Sequence, residues 1–254
     1  MLSKSDIKLI NSLVIKKYRN LNRLFVIEGE RLVSEAVLSN AIINKLYITD
    51  SFIEKPHHND LMDKIAARSI ITNIVTEKEM ISICDTVSPA GILALCDRQE
   101  SGSIDYNKSE NWLYLDEIQD PGNLGTLLRS ADWFGIKNVA LSENCIDIYN
   151  PKVLRGGMGA HFRLSINEGV SLNIFNTVPH TIIGAVQNSE NIYNLDIKTL
   201  RPWVLVIGNE AHGINIKYND QLNVKVTIPR IGSGESLNAA VAGSILLYHL
   251  TKPL

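Results

Sequence analysis

The sequence predicts an α/β protein of two units, and three observations carry that reading. Apolar runs of strand length alternate with helix-like stretches along most of the chain. A polar stretch, Arg98–Asn111, has no periodic apolar face and divides the chain like a linker. Near the C-terminus, Thr227–Ala242 reads as a strand stopped by Pro229, a loop carrying Gly232 and Gly234, and a helix beginning at Ser236-Leu237-Asn238. In open α/β sheets, loops at the carboxyl ends of strands bind ligands, so the site is expected there.

Composition sets the outer limits. The chain has 254 residues, of which 45% are hydrophobic and 20% charged, as in an ordinary globular protein. A net charge of −2 argues against binding nucleic acid by bulk charge and leaves room only for a local basic patch. Cys84, Cys96 and Cys145 are far apart and not in metal-ligand spacing, which suggests free thiols in a reducing compartment. No apolar run approaches the roughly 18–20 residues of a membrane span, and no signal peptide is expected. A cytoplasmic protein with no membrane partner follows as the expectation.

Residues 1–40 read as helical, with Leu9, Ile10, Leu13 and Val14 at helical spacing, a break near Phe25-Val26-Ile27, and a second helix from Glu30 through Leu38. Lys4, Lys8, Lys16, Lys17, Arg19 and Arg23 stand against Asp6 alone in the first 27 residues. That charge is either a solvated helix face or a surface for RNA phosphates. Strands are expected at Ile43–Ile48, Ile70–Val75 and Gly91–Cys96, with helix-like stretches around 57–68 and 76–83. His57-His58 invites a metal reading, but adjacent histidines diverge and no third ligand is near in sequence, so no metal site is expected. The division is residues 1–98, a linker at 99–111, and residues 112–254.

The second unit opens with a strand at Trp112–Ile118 and a turn at Asp120-Pro121-Gly122-Asn123. A helix follows, with Leu124, Leu127, Leu128, Ala131 and Phe134 at core-facing spacing. Arg129 lies beside that stripe. Asn123 is about 240° around an ideal helix from it, and is placed as a cap or loop residue. Further strands are expected at Asn138–Leu141, Thr181–Val186 and Trp203–Ile207, with a helix-like stretch at Lys152–Arg155 ending in Gly156-Gly157-Met158-Gly159-Ala160. That glycine cluster follows a helix and lacks G-x-G-x-x-G spacing, which excludes a dinucleotide fingerprint. The strand at Trp203–Ile207 runs into Gly208-Asn209-Glu210-Ala211-His212-Gly213, a second strand-end loop. The last helix carries Leu237, Val241, Ile245 and Tyr248 on one face, with Ala239, Ala240, Ala242, Gly243 and Ser244 small enough for close packing.

In this order, NLGTLLR, IGNEAHGI and IPRIGSGESLN resemble the three motifs of the SpoU (TrmH) branch of the SPOUT RNA ribose 2′-O-methyltransferases. KKYRNLNRLFVIEGERLVSEA is similar to the substrate-binding domain that precedes the catalytic domain in many relatives, especially those acting on ribosomal RNA. The resemblance implies a parallel sheet with a deep trefoil knot, S-adenosylmethionine bound in the knot as methyl donor, and a homodimer. It implies a small N-terminal α/β RNA-binding domain before a C-terminal SPOUT domain. Ala211 and Gly157 depart from the family pattern, standing where glycine and serine are common.

The residue roles come with that resemblance. Arg129 matches the arginine at the reacting ribose; its guanidinium stays protonated, which suits positioning and alkoxide stabilisation rather than base catalysis. Glu210 either organises Arg129 or takes part in proton transfer, while Ser236 and Asn238 hold substrate or shape the cofactor loop, and Asn123 completes the catalytic set. Gly208, Ile228 and Leu237, with Ile207 and Asn209, match cofactor-contacting positions. Lys16, Lys17, Arg19 and Arg155 are expected to contact RNA. The function implied is S-adenosylmethionine-dependent 2′-O-methylation, in 23S ribosomal RNA by preference. The alternatives are a transfer RNA methyltransferase of the same family and a non-catalytic RNA-binding module.

Overall fold

A computed structural model describes residues 2–98, 106 and 109–252. The first elements are α1 (Lys4–Ser12), α2 (Lys16–Asn22), β1 (Leu24–Glu28), α3 (Glu30–Leu38), β2 (Ile43–Ile48), α4 (Asp50–Ile53), α5 (Asn59–Ala67), β3 (Thr72–Ile74), α6 (Glu77–Ile83) and β4 (Ile92–Asp97). Then come β5 (Trp112–Leu115), α7 (Pro121–Trp133), β6 (Asn138–Leu141), α8 (Pro151–Gly157), β7 (Ser165–Asn167), β8 (Thr181–Asn191), β9 (Trp203–Ile207), β10 (Val224–Thr227) and α9 (Ala239–Thr251). By internal contacts the chain forms two units, one of Met1–Glu100 with Tyr149–Phe162, the other of Ser101–Ile148 with Arg163–Leu254.

The first unit is a sheet of order β1-β4-β2-β3 with helices packed on it, parallel only between β2 and β3. Residues 1–40 are helical at α1, α2 and α3, but the expected break at Phe25-Val26-Ile27 is strand β1. Phe25 and Ile27 are buried while their neighbours are half-exposed, a period of two that a helix could not satisfy. Gly29, at φ +89°, turns the chain from β1 into α3, whose Leu32, Val33, Ala36 and Val37 are buried. Thr76 and Glu79 close a capping box on α6.

Tyr149–Phe162 lies in the sequence range expected for the second unit, yet it packs with the first. The Phe25 ring lies 4.5 Å from that of Tyr149 and 6.5 Å from that of Phe162, and Arg98 sits over the Tyr149 ring. Aromatic burial of this size outweighs sequence proximity.

In the second unit six strands lie in the order β10-β8-β9-β5-β6-β7, every neighbouring pair parallel. All residues of β5 and β9 are buried, as in a parallel sheet covered on both faces. β7 was not expected; its Ser-Ile-Asn sequence has no apolar run, and it is held as an edge by pairing with β6. Strand β8 continues to Asn191, past the expected Val186, with a register shift against β10.

The small residues of α9 do allow close packing. A Cβ on Gly243 would meet Leu127 of α7 at 2.4 Å, and the hydroxyls of Ser130 and Ser244 are 2.7 Å apart. Within the predicted linker 99–111, residues 99–105, 107 and 108 lie outside the described residues. Its end belongs to the second unit: Tyr106 stacks on Trp112, and Asn111 Oδ1 accepts the Trp203 N–H at 3.1 Å.

Candidate active site at three strand ends

Because all six strands run the same way, the loops after β5, β9 and β10 leave from one edge of the sheet. Asp120 caps α7: its Oδ1 accepts the Asn123 N–H at 2.8 Å, and Pro121 occupies the first turn, where its missing N–H has no partner to lose. Asn123, expected as cap or loop, is therefore a helical residue. Its own N–H takes the cap, which frees its side chain to point away from the helix.

That side chain joins the three loops. Asn123 Nδ2 donates to Glu210 Oε1 at 2.8 Å, and Asn238 Nδ2 donates to Asn123 Oδ1 at 2.8 Å. Asn238 Oδ1 in turn accepts the N–H groups of Ala240 and Val241, so Asn238 rather than Ser236 caps α9. Helix α9 starts three residues later than the sequence suggested, and Ser236 and Leu237 stay on an exposed loop.

The loop after β9 folds on itself. Asn209 and Gly213 exchange both backbone hydrogen bonds at 2.9 Å, and Asn209 Oδ1 accepts from Ala211 and His212. Gly208 is buried under this turn, where a Cβ would fall 2.2 Å from the Gly213 carbonyl carbon and the Ile214 nitrogen. Only glycine fits there. Ile207 is buried, its carbonyl taken by the Asp116 N–H, and Ile228 is half-buried.

The loop Ile231–Leu237 is exposed throughout, and among the described residues none of its backbone N–H groups has a hydrogen-bond partner. Open peptide donors beside a glycine-lined turn suit a ligand held largely through backbone groups. Arg129 is also exposed, six residues further along α7, and makes no ion pair or hydrogen bond among the described residues. Glu210 is hydrogen-bonded to Asn123, and no bond joins it to Arg129 among the described residues.

Sequence reasoning missed Asp116 and Glu117, directly after β5. Asp116 is 1% exposed; its Oδ2 accepts the Asn215 N–H at 2.7 Å, while its Oδ1 meets no hydrogen-bond criterion among the described residues. Burial raises its carboxyl above the ordinary value, and the Asn215 donor opposes that shift. Glu117, in the left-handed region at φ +57°, gives its carbonyl to Asn209 Nδ2 at 2.8 Å. Two acidic residues at the end of an apolar strand were the available signal.

The predicted RNA contacts divide. Lys16 and Lys17 are exposed on α2. Arg19 is 2% exposed, and its Nη1 donates to the carbonyls of Leu13 and Val14 at 2.6 and 2.7 Å. It ties off the α1–α2 junction, so its assignment to RNA is corrected. Arg155, in the first unit, pairs with Asp85 at 3.1 Å.

Comparison with known proteins gives a consistent result. Residues 110–248 match the SpoU rRNA Methylase family, and residues 4–94 match the MRM3-like substrate binding domain. The 23S rRNA (guanosine(2553)-2′-O)-methyltransferase RlmP of Bacillus subtilis is 30% identical over 244 residues, 92% of this chain and 91% of that protein. An AdoMet-bound rRNA methyltransferase from Sinorhizobium meliloti superposes with a TM-score of 0.85 at 26% identity, covering 98% of this chain and 96% of that one. An RNA methyltransferase of the TrmH family from Porphyromonas gingivalis superposes with a TM-score of 0.82 at 29% identity over 98% of each chain.

Proposed function

The chain belongs to the SpoU rRNA Methylase family, and from that premise we propose that it methylates a ribose 2′-hydroxyl of 23S ribosomal RNA with S-adenosylmethionine as donor. The observation that carries this is the Asn238–Asn123–Glu210 chain of hydrogen bonds, which holds one residue from each of the three motif loops together.

When bound, S-adenosylmethionine supplies an electrophilic methyl group on a sulfonium. The open N–H groups of Ile231–Leu237 and the backbone around Gly208 would hold it, with Ile207, Asn209, Ile228 and Leu237 alongside. Arg129 is assigned to the ribose hydroxyl and a neighbouring phosphate, since an exposed guanidinium can orient both and stabilise developing negative charge. In-line displacement gains most from such alignment. Glu210, steadied by Asn123, is assigned to take the hydroxyl proton, and Ser236 on its exposed loop is assigned to substrate.

The first unit is assigned to RNA binding through Lys16 and Lys17, which the match to a substrate binding domain supports. Ribosomal RNA is preferred to transfer RNA because the Bacillus subtilis relative is named for 23S rRNA. A homodimer fits the apolar surface left on the second unit: Val241, Ile245 and Tyr248 of α9 and Trp133 of α7 are exposed at 47, 37, 59 and 82%. The knot is retained as part of this reading, supported by a C-terminal strand on the far side of β8 from which the chain returns to pack α9 on α7. No described helix is long and apolar enough to cross a membrane; the cytoplasm is proposed from the substrate.

The test is transfer of labelled methyl from S-adenosylmethionine to total RNA from cells lacking the protein, with mapping of the product. One 2′-O-methyl site in 23S rRNA is expected. Label in transfer RNA alone would keep the chemistry and overturn the substrate.

A further inference from the structure

His57 and His58 were set aside for want of a third ligand, and the fold supplies one. Glu30, the first residue of α3, meets the turn Pro56–His58, and one donor atom each from Glu30, His57 and His58 lie within 4.8 Å of one another. His58 is 2% exposed and its ring stacks on Phe52, centroids 3.6 Å apart at 13°. Its Nδ1 is 2.7 Å from the Phe52 carbonyl oxygen, so Nδ1 carries a proton and donates it. The other nitrogen, Nε2, then faces Glu30 Oε2 at 3.2 Å.

Two acceptors at that distance need a positive charge between them, either a proton or a metal ion. A proton satisfies His58 and Glu30 and leaves His57 without a part. A metal uses all three, and a ligating imidazole fixed through its second nitrogen by a backbone carbonyl is the usual support for such a site. We propose that Glu30, His57 and His58 bind a divalent transition-metal ion of the zinc class, with solvent completing the coordination. Donors about 2.0–2.2 Å from a tetrahedral ion stand roughly 3.3–3.6 Å apart, so the exposed Glu30 and His57 side chains would close on the ion from a spread of at most 4.8 Å. Two imidazoles and a carboxylate suit zinc better than calcium or magnesium. The ion would clip the start of α3 to the turn before α5.

The test uses untagged full-length protein, freed of metal by a chelator and dialysed. Titration calorimetry with Zn²⁺ is expected to give one ion per chain and a rise in Tm reversed by EDTA. His57→Ala, which leaves the Glu30–His58 pair intact, and Glu30→Gln are each expected to weaken binding at least tenfold. Co²⁺ in place of Zn²⁺ is expected to show a nitrogen and oxygen ligand spectrum. Absence of saturable binding, unchanged affinity in His57→Ala, or a thiolate charge-transfer band from Co²⁺ would overturn the proposal.

Discussion

Asn123 donates to Glu210 at 2.8 Å while accepting from Asn238 at 2.8 Å, so one buried amide uses both ends to join loops 87 and 115 residues away in sequence. Asn123→Ala takes a hydrogen bond from each of two partners that solvent can reach, at a cost of about 0.5–1.5 kcal/mol in stability. The larger expected effect is on turnover, on the order of 10²-fold, because the loops would no longer be held in register. Asn123→Asp keeps the acceptor for Asn238 but sets a carboxylate against Glu210, and is expected to lose turnover as well. Single-turnover rates with denaturant melts separate the two effects; wild-type rates in both variants would exclude the bridge from the mechanism.

Gly208 is the position least able to change. A methyl group there would lie 2.2 Å from backbone atoms of the turn it supports, and backbone cannot swing aside as a side chain can. Gly208→Ala is expected to lower stability by about 1–3 kcal/mol and to abolish S-adenosylmethionine binding in calorimetry. Retained binding at normal affinity would place the cofactor elsewhere.

Arg129, being free of partners among the described residues, contributes little to the fold. Arg129→Ala is therefore expected to leave Tm and S-adenosylmethionine affinity nearly unchanged while removing methyl transfer. Arg129→Lys retains charge without the planar fork and should recover little activity. A drop in cofactor affinity equal to the drop in rate would assign Arg129 to the donor instead of the ribose.

Much of the second unit was legible because its strands are buried on both faces and read as continuous apolar runs, Trp112–Leu115 and Trp203–Ile207 above all. β7 was not, because an edge strand of three residues needs no apolar run. The motif residues were found by their resemblance to a family, but their connection was not: Asn123 looked like a cap because nothing local shows that Asp120 already serves as one. Arg19 was misplaced for a related reason. Charge in a basic stretch is visible in sequence, whereas two backbone carbonyls left open at a helix junction are not. Glu30 and His58 meet only through tertiary packing, out of reach of any spacing rule.

The basic stretch can be dissected on that footing. Lys16→Ala with Lys17→Ala is expected to fold normally and to weaken RNA binding, with the slope of log affinity against log salt reduced by roughly 1–2 if both lysines contact phosphate. Arg19→Met is expected to lower Tm, since it removes donors from the Leu13 and Val14 carbonyls, while leaving the salt slope unchanged in the protein that stays folded. An unaltered slope in the double lysine variant would return α2 to a solvated face.

Asp116 gives a pH signature. Burial raises its carboxyl above the ordinary value of 3.8, so the folded state prefers the neutral acid more than the unfolded chain does. The associated stability is fully present below the unfolded pKa and is lost as pH rises through the raised folded value. At neutral pH the protein therefore holds a charge it would be more stable without. Asp116→Asn keeps an acceptor for the Asn215 N–H and removes that charge. The variant is expected to match the parent in Tm below the unfolded pKa and to exceed it at pH 7, the difference growing as pH rises through the raised folded value and flattening above it. Equal Tm values throughout would mean that the carboxylate finds compensation in the folded protein, most directly from the Asn215 N–H, Lys217 and Ser142.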